Sequence, residues 1–308
     1  MKISGGITVK VAGEKIKWGV LGCACIAVEQ FIPSIQKSSN GLLWGVASRT
    51  PEKQTQLKEE FHVEHIYESY DALLDDPEID AVYIPLPNHM HCEWVIKALD
   101  KKKHVLCEKP IALNADEAER MIEASLRNGV LLMEAFAYLN GELMRKVHEI
   151  LASGILGKVR NVQVRFQFPV KTADDIRLDP KRGGGAILDL GCYAVSFIRS
   201  IMGSEPTEVQ AMLNRHPSGV DDNNTIMLRF DNQASATAFI SLSGRTDSDR
   251  CIVGTRGLLL IPAFFNFEGK KELLLKKQKG VERIPSTVPA PTAWKLNILV
   301  KASWREPR

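Results

Sequence analysis

No lysine- or arginine-rich block, no long apolar run and no C-x-x-C pair occurs in this sequence. Each absence excludes a class of protein. A net charge of +3 spread over 308 residues leaves no electrostatic footprint for nucleic acid or an anionic membrane. The triplet Lys101, Lys102 and Lys103 ends a predicted helix, where cations suit the dipole. No apolar stretch is expected to span a bilayer, which takes ~20 residues. Residues 1–15 alternate polar residues with Gly5, Gly6 and Gly13 and lack the apolar core of a signal peptide. The six cysteines, Cys23, Cys25, Cys92, Cys107, Cys192 and Cys251, fall partly inside apolar strand-like runs. They read as buried free thiols of a reducing, cytoplasmic compartment, with no disulfide framework and no metal site.

What is present is a globular composition in a chain too long for one comfortable core, so two domains are expected. In the first part, residues 16–21 read as a strand and 26–36 as a helix with Phe31 and Ile35 on one face. A strand at 42–47 and a helix at 51–61 follow, with Pro51 at the first helical position. Strands at 81–84, 104–107 and 131–135 alternate with helices at 93–101 and 116–127, the last stopped by Asn128-Gly129. Short apolar runs alternating with helices are the signature of a doubly wound parallel sheet. Past residue 137 the rhythm changes. A helix at 141–153 and a strand at 159–168 precede a helix at 187–202. Strands at 208–213, 225–230, 234–241, 250–253 and 258–261 come next, with Asp231-Asn232-Gln233 as a hairpin turn. Strands in succession predict a largely antiparallel open sheet with helices on one face. Its other face is expected to be apolar at alternating positions and buried against a second copy of the chain, giving a homodimer or larger.

The first strand ends in Gly19-Val20-Leu21-Gly22-Cys23-Ala24-Cys25-Ile26-Ala27. Gly22, Ala24 and Ala27 occupy the three small positions of a dinucleotide fingerprint: a tight turn, a close approach to pyrophosphate, and helix-on-strand packing. Ala24 stands where glycine is usual. A small-residue strand–helix turn without a ligand is the alternative. The second strand ends in Ala47-Ser48-Arg49-Thr50, with no acid to read a ribose 2′-hydroxyl. A hydroxyl and a guanidinium there suit a 2′-phosphate, hence NADP, with NAD still possible. Residues 1–137 are therefore expected to be a Rossmann dinucleotide-binding domain. Residues 138–308 form an α+β substrate-binding and oligomerisation domain.

Two further motifs carry chemistry. His104-Val105-Leu106-Cys107-Glu108-Lys109-Pro110 places a lysine past the carboxyl end of a core strand, and Pro110 restricts its backbone. A surface Glu-Lys turn is the alternative. Gly183-Gly184-Gly185-Ala186-Ile187-Leu188-Asp189-Leu190-Gly191-Cys192-Tyr193 opens a helix with Asp189 and Tyr193 four residues apart. A carboxylate on a mostly apolar helix calls for a partner, and Lys109 is the expected one. The alternative has Asp189 serving the helix dipole and Tyr193 the core.

These blocks together resemble the glucose–fructose oxidoreductase and inositol dehydrogenase family (Gfo/Idh/MocA). The resemblance covers residues 16–256 and also rests on Pro87-Asn88 with His91, and on Met133-Glu134-Ala135-Phe136. Tyrosine at position 193 resembles the subgroup of dihydrodiol and xylose dehydrogenases. The resemblance implies an NAD(P)-dependent oxidoreductase acting on CH–OH groups of a sugar-like or diol substrate. It implies Tyr193 as general acid/base, Lys109 beside the reacting oxygen and Asp189 as orienter. It assigns Leu86, Pro87, Asn88, His91, Glu108 and Lys109 to the cofactor, alongside Gly22, Cys23, Ala24, Cys25, Ile26, Ser48, Arg49 and Thr50. Arg177 matches a position near the substrate. The chain departs from the subgroup at Tyr138-Leu139-Asn140-Gly141-Glu142 and at Cys25. Its proline-rich 285–291 and its end at 308 suggest a shortened tail. A catalytically silent dinucleotide-binding sensor or partner protein is the alternative reading.

Overall fold

The computed structural model describes residues 15–48, 50–262 and 269–288. Two compact units divide after Ala135, two residues before residue 137. In the first unit β1 (Ile16–Leu21) is followed by a π-helical turn, Ala27–Phe31, that continues as α1 (Ile32–Gln36). Then come β2 (Gly41–Ala47), α2 (Pro51–Phe61), β3 (His65–Tyr67), α3 (Tyr70–Asp75) and β4 (Ala81–Ile84). The unit closes with α4 (His91–Asp100), β5 (His104–Cys107), α5 (Ala115–Asn128) and β6 (Leu132–Glu134). The six strands are parallel, in the order β3-β2-β1-β4-β5-β6.

Burial explains why these runs form strands. Trp18, Val20 and Leu21 of β1 and all four residues of β4 are buried, as strands covered on both faces must be. On one face Phe31 stacks on Tyr83 at 4.0 Å and meets Trp18 edge-on at 5.5 Å. On the other, Leu73 and Val95 pack with Val82 and Ile84. Local chemistry sets the ends of α5. The Asn114 side chain accepts from the Glu117 N–H at 2.9 Å, an N-cap worth about 1 kcal/mol. Gly129 takes φ 64° at the other end, the left-handed cap that glycine adopts without strain. The six strands include one that the sequence reading did not contain. β3 is only three residues long and carries no repeating apolar pattern, while α3 is announced by its cap, Ser69 accepting from the Ala72 N–H at 3.0 Å.

The second unit begins with α6 (Glu142–Ala152) and β7 (Val159–Gln167). A π-helical turn, Ile187–Gly191, runs into α7 (Cys192–Met202). The strands β8 (Glu208–Arg215), β9 (Asp221–Arg229), β10 (Ser235–Ser241), β11 (Asp247–Gly254) and β12 (Gly257–Pro262) follow. β13 (Gly269–Lys277) and β14 (Gly280–Val288) complete an eight-stranded sheet in the order β14-β13-β12-β11-β7-β10-β9-β8. All pairings are antiparallel except β7 with β10. The helices share one core with the sheet: Met144 and Val147 of α6 and Phe197 and Ile198 of α7 cluster with Val162, Ala238 and Ile252.

Two expectations change here. The face of the sheet opposite the helices is mixed rather than apolar: exposed Met212 and Met227 lie on it with Gln163 and with Arg165, which is paired to Asp247 and Asp249. The hairpin β13–β14 lies beyond the strands expected from the sequence and reaches into the proline-rich 285–291 that suggested an altered tail. Pro285 sits on β14, an edge strand, where a missing N–H is tolerated. Finally, Pro180–Met202 is long and apolar enough, by composition alone, to cross a membrane. Gly183 and Gly185 interrupt it with positive φ, and Leu190, Ala194, Phe197 and Ile198 are already core residues of the second unit. The tail expected to be altered lies mostly at 289–308, outside the described residues.

His104 gives the first unit a pH dependence. Its Nδ1 accepts the Leu131 N–H at 3.0 Å, which requires that nitrogen to be unprotonated. Burial lowers its pKa below the ordinary 6.5, with Asp80 opposing. Just below that ordinary value the unfolded chain takes up a proton that the folded chain refuses. The contribution is thus complete above about pH 6.5 and is lost as the pH falls. Urea unfolding at pH 7.5 and 5.5 should show this loss, and a smaller one in His104→Asn, whose amide oxygen can accept the same bond. An equal loss in both proteins would remove His104 as its source.

Candidate active site

The strand order of the first unit reverses at β1, which has β2 on one side and β4 on the other. Ligands of such sheets bind at the carboxyl ends beside this reversal. Gly22 follows β1 with φ 101°, a conformation open to glycine and strained for other residues. Its N–H donates to the Ala47 carbonyl at 2.8 Å. The Ala24 carbonyl accepts from Ala27 and Val28 and starts the helical segment. Ala27 is fully buried against the sheet, while Cys25 is exposed. A tight turn, small residues and a helix start fit the pyrophosphate of a dinucleotide, and backbone N–H groups near Ala24, Cys25 and Ile26 would hold it. Burial raises the pKa of the Cys23 thiol, against a hydrogen bond with Ser48 and the charge of Lys53.

At the end of β2 the Ser48 hydroxyl is nearly buried and accepts from the Thr50 N–H at 3.2 Å. Ser48 thus shapes the turn that leads to α2. Arg49 lies outside the described residues. At the end of β4, Leu86 is buried and Pro87 and Asn88 are partly exposed. Past β5, Glu108 accepts from the Tyr83 hydroxyl at 2.6 Å and from the Lys109 N–H at 3.2 Å. The Lys109–Pro110 peptide is cis. Glu134 anchors the same loop by accepting the Ile111 N–H at 2.9 Å.

His91 stands between two of the loops at this end of the sheet. It is fully buried, and its two ring nitrogens stand 2.8 Å from the carbonyls of Pro110 and Leu86. It ties the loop after β4 to the loop that carries Lys109. Burial pushes its pKa down, partly offset by the two carbonyls, with the charges of His89 and Lys109 adding to the lowering. The sequence identified the residue, but only the packing revealed a strut.

In the second unit the glycine run is a site of close backbone approach. A side chain on Gly184 would meet the Arg177 carbonyl oxygen at 2.5 Å. Gly185 has φ 118°, and its N–H donates to that carbonyl at 2.9 Å. Asp221 on β9, absent from the sequence reading, caps the helix by accepting the Ile187 N–H at 2.8 Å. Arg177 reaches Asp189 with Nε at 2.9 Å and Asp175 with a terminal nitrogen at 3.2 Å. Within this unit Arg177 is thus a partner of Asp189. Tyr193 packs among Phe136 (5.3 Å), Tyr138 (5.9 Å) and Phe166 (5.9 Å). A π-helical turn precedes α7 as another precedes α1; such turns are frequent at functional sites.

Gly185 offers a test of this geometry. A Cβ there would lie 2.2 Å from an Asp221 carboxylate oxygen, whereas at Gly203, φ 65°, it would meet nothing within 4 Å. Gly203→Ala should cost about 1–2 kcal/mol from backbone strain alone. Gly185→Ala should cost clearly more, since it also displaces the Asp221 cap, by roughly another 1–3 kcal/mol. Urea denaturation of both variants decides; equal costs would mean the Asp221 contact contributes nothing.

Comparisons with known proteins agree with this geometry. A family model described as an oxidoreductase family with an NAD-binding Rossmann fold matches residues 16–136, and the Gfo/Idh/MocA C-terminal domain matches 144–260. The NADP(+)-dependent D-xylose 1-dehydrogenase 2 of Haloferax volcanii is 40% identical over 71% of this chain and 67% of its own length. The trans-1,2-dihydrobenzene-1,2-diol dehydrogenase of Xenopus laevis is 30% identical over 80% of this chain and 76% of its own. The crystal structure of KijD10, a 3-ketoreductase from Actinomadura kijaniata in complex with NADP and TDP-benzene, is similar with a TM-score of 0.86 and 29% identity. The match covers 94% of this chain and 90% of that one. With both halves matched in order, the chain belongs to the Gfo/Idh/MocA family of NAD(P)-binding oxidoreductases.

Proposed function

We propose that this oxidoreductase uses NADP to interconvert a hydroxyl and a carbonyl on a sugar-like or diol substrate. The observation that carries the reading is the retention of Lys109, Asp189 and Tyr193, each held in defined local structure, in a chain of this family. The cofactor supplies hydride exchange at nicotinamide C4. The chain supplies proton handling and orientation. Tyr193 gives or takes the proton of the reacting oxygen. A free phenol has a pKa of about 10, too high for base work at neutral pH, and the Lys109 ammonium acting on the same oxygen favours the phenolate. Asp189, held by Arg177, orients the substrate or Lys109. Glu108, Pro87 and Asn88 border the cofactor, and His91 fixes the loops that carry them.

NADP preference is supported by the lack of an acid in Ala47-Ser48-Arg49-Thr50 and by the NADP-dependent relative. Six free thiols support a reducing compartment, the cytoplasm. The second unit takes the substrate and also joins copies of the chain: its open sheet face carries Met212 and Met227 exposed beside the Arg165–Asp249 pair.

Nicotinamide fluorescence should report tight NADPH and weaker NADH binding. Binding of neither would sink the cofactor assignment. On a panel of aldoses and trans-diols, Lys109→Met and Tyr193→Phe should each lose about 100-fold or more in kcat while still binding NADPH. Turnover that survives both changes would reject these roles. Light scattering at micromolar concentration should give a multiple of the 34.3 kDa chain mass; a monomer mass would remove the self-association reading.

A further inference from the structure

Arg250 on β11 is 1% exposed. It registers with Val164 on β7 and Ile261 on β12, both buried, so its side chain enters the layer between sheet and helices. Burying a guanidinium is costly unless its surroundings favour the charge. Its Cζ stands 5.0 Å from the centroid of the Phe197 ring, within reach of a cation–π contact. Phe197 lies one turn after Tyr193 on α7. Phe166, two residues along β7 from Val164 and on the same face, meets the Tyr193 ring edge-on at 5.9 Å. Tyr138 closes the cluster, with its hydroxyl donating to Ser196 Oγ at 2.8 Å. Arg250 interacts electrostatically with Tyr138, Asp249 and Tyr193, while burial disfavours its charge. Arginine keeps its proton in proteins, so this charge is a fixed feature of the core.

We propose that Arg250 is a positioning residue that acts through Tyr193, its buried charge favouring the phenolate from the core side of the aromatic cluster. The proposal rests on the reading of Tyr193 as general acid/base. Other titratable groups lie on the elements around Tyr193. Asp189, on the turn before α7, disfavours a phenolate but is offset by Arg177. Cys192 immediately precedes Tyr193 in the chain. Tyr138 approaches from the turn Ala137–Asn140, and β7 contributes the uncharged Phe166. Asp249 is paired with Arg165, whose side chain is on the opposite sheet face. On this view Tyr193 works under two cations of different kinds: Lys109, which handles the substrate oxygen, and Arg250, which never touches it.

The test is a titration of Tyr193 in the full chain labelled with 13C at the tyrosine ζ carbon. Five tyrosines give few resonances, and Tyr193→Phe identifies the one that matters. Arg250→Met should raise the Tyr193 midpoint by about one unit, a tenfold loss of phenolate at a given pH. Arg250→Lys, which keeps the charge, should leave the midpoint near that of the parent. In turnover, the limb of the kcat/KM profile that reports the base should move with the NMR midpoint in Arg250→Met, with NADPH binding unchanged. An unmoved midpoint in folded Arg250→Met overturns the proposal, and so does an equal rise in Arg250→Lys. If Arg250→Met fails to fold, the comparison passes to Arg250→Gln on the same criteria. A parent protein that binds NADPH but turns over no sugar or diol would defeat the proposed reaction instead. The titration needs no activity and would still decide whether Arg250 acts on Tyr193.

Discussion

The dual pairing of β1 organises the first unit. It bonds to β2 along one edge and to β4 along the other, and both partners run parallel to it. Parallel neighbours need crossover helices, and right-handed crossovers on the two sides of a reversal fall on opposite faces of the sheet. The loops leaving β1 and β4 therefore part from each other at their carboxyl ends. Gly22, Ser48, Pro87 and Glu108 all stand at such ends. Apolar burial on both faces drives this arrangement, and the polar loop chemistry is carried on it.

The second unit solves a different problem. A carboxylate and a phenol must be presented from a helix whose apolar side builds the core. The glycine run draws the chain against the backbone of Arg177, and Asp221 caps the helix from the sheet. Those contacts set where Asp189 and Tyr193 begin their helix. The aromatic cluster then limits how the Tyr193 ring can turn. Arg250 adds charge to a region that packing alone would have left apolar, and Arg177 balances Asp189 from a partly buried turn.

How legible each feature was depended on the range of its cause. Strands buried on both faces, such as 16–21 and 81–84, show as continuous apolar runs. Caps such as Asn114 and Gly129 are local chemistry and mark helix ends in the sequence. β3 was missed because three residues carry no period, and β14 because Pro285 within a strand is tolerated chiefly at a sheet edge. Whether a strand is an edge is a property of the whole sheet. The open face looked apolar by alternation, but register places Arg165 and Asp249 together there as a pair.

The sequence by itself determined the alternation of strand and helix, the small-residue turn after β1, the missing acid after β2, and the identities of Lys109, Asp189 and Tyr193. These depend on residue type and short spacing, which are present in the chain before it folds. Tertiary structure alone decided that His91 is a buried strut, that Arg177 holds Asp189, that Asp221 caps the helix before α7, and that Arg250 is buried against Phe197. Each of these joins groups far apart in the chain. Hydrogen bonds and charges act over a few ångströms, so their partners exist only once strand register and helix packing have brought them together.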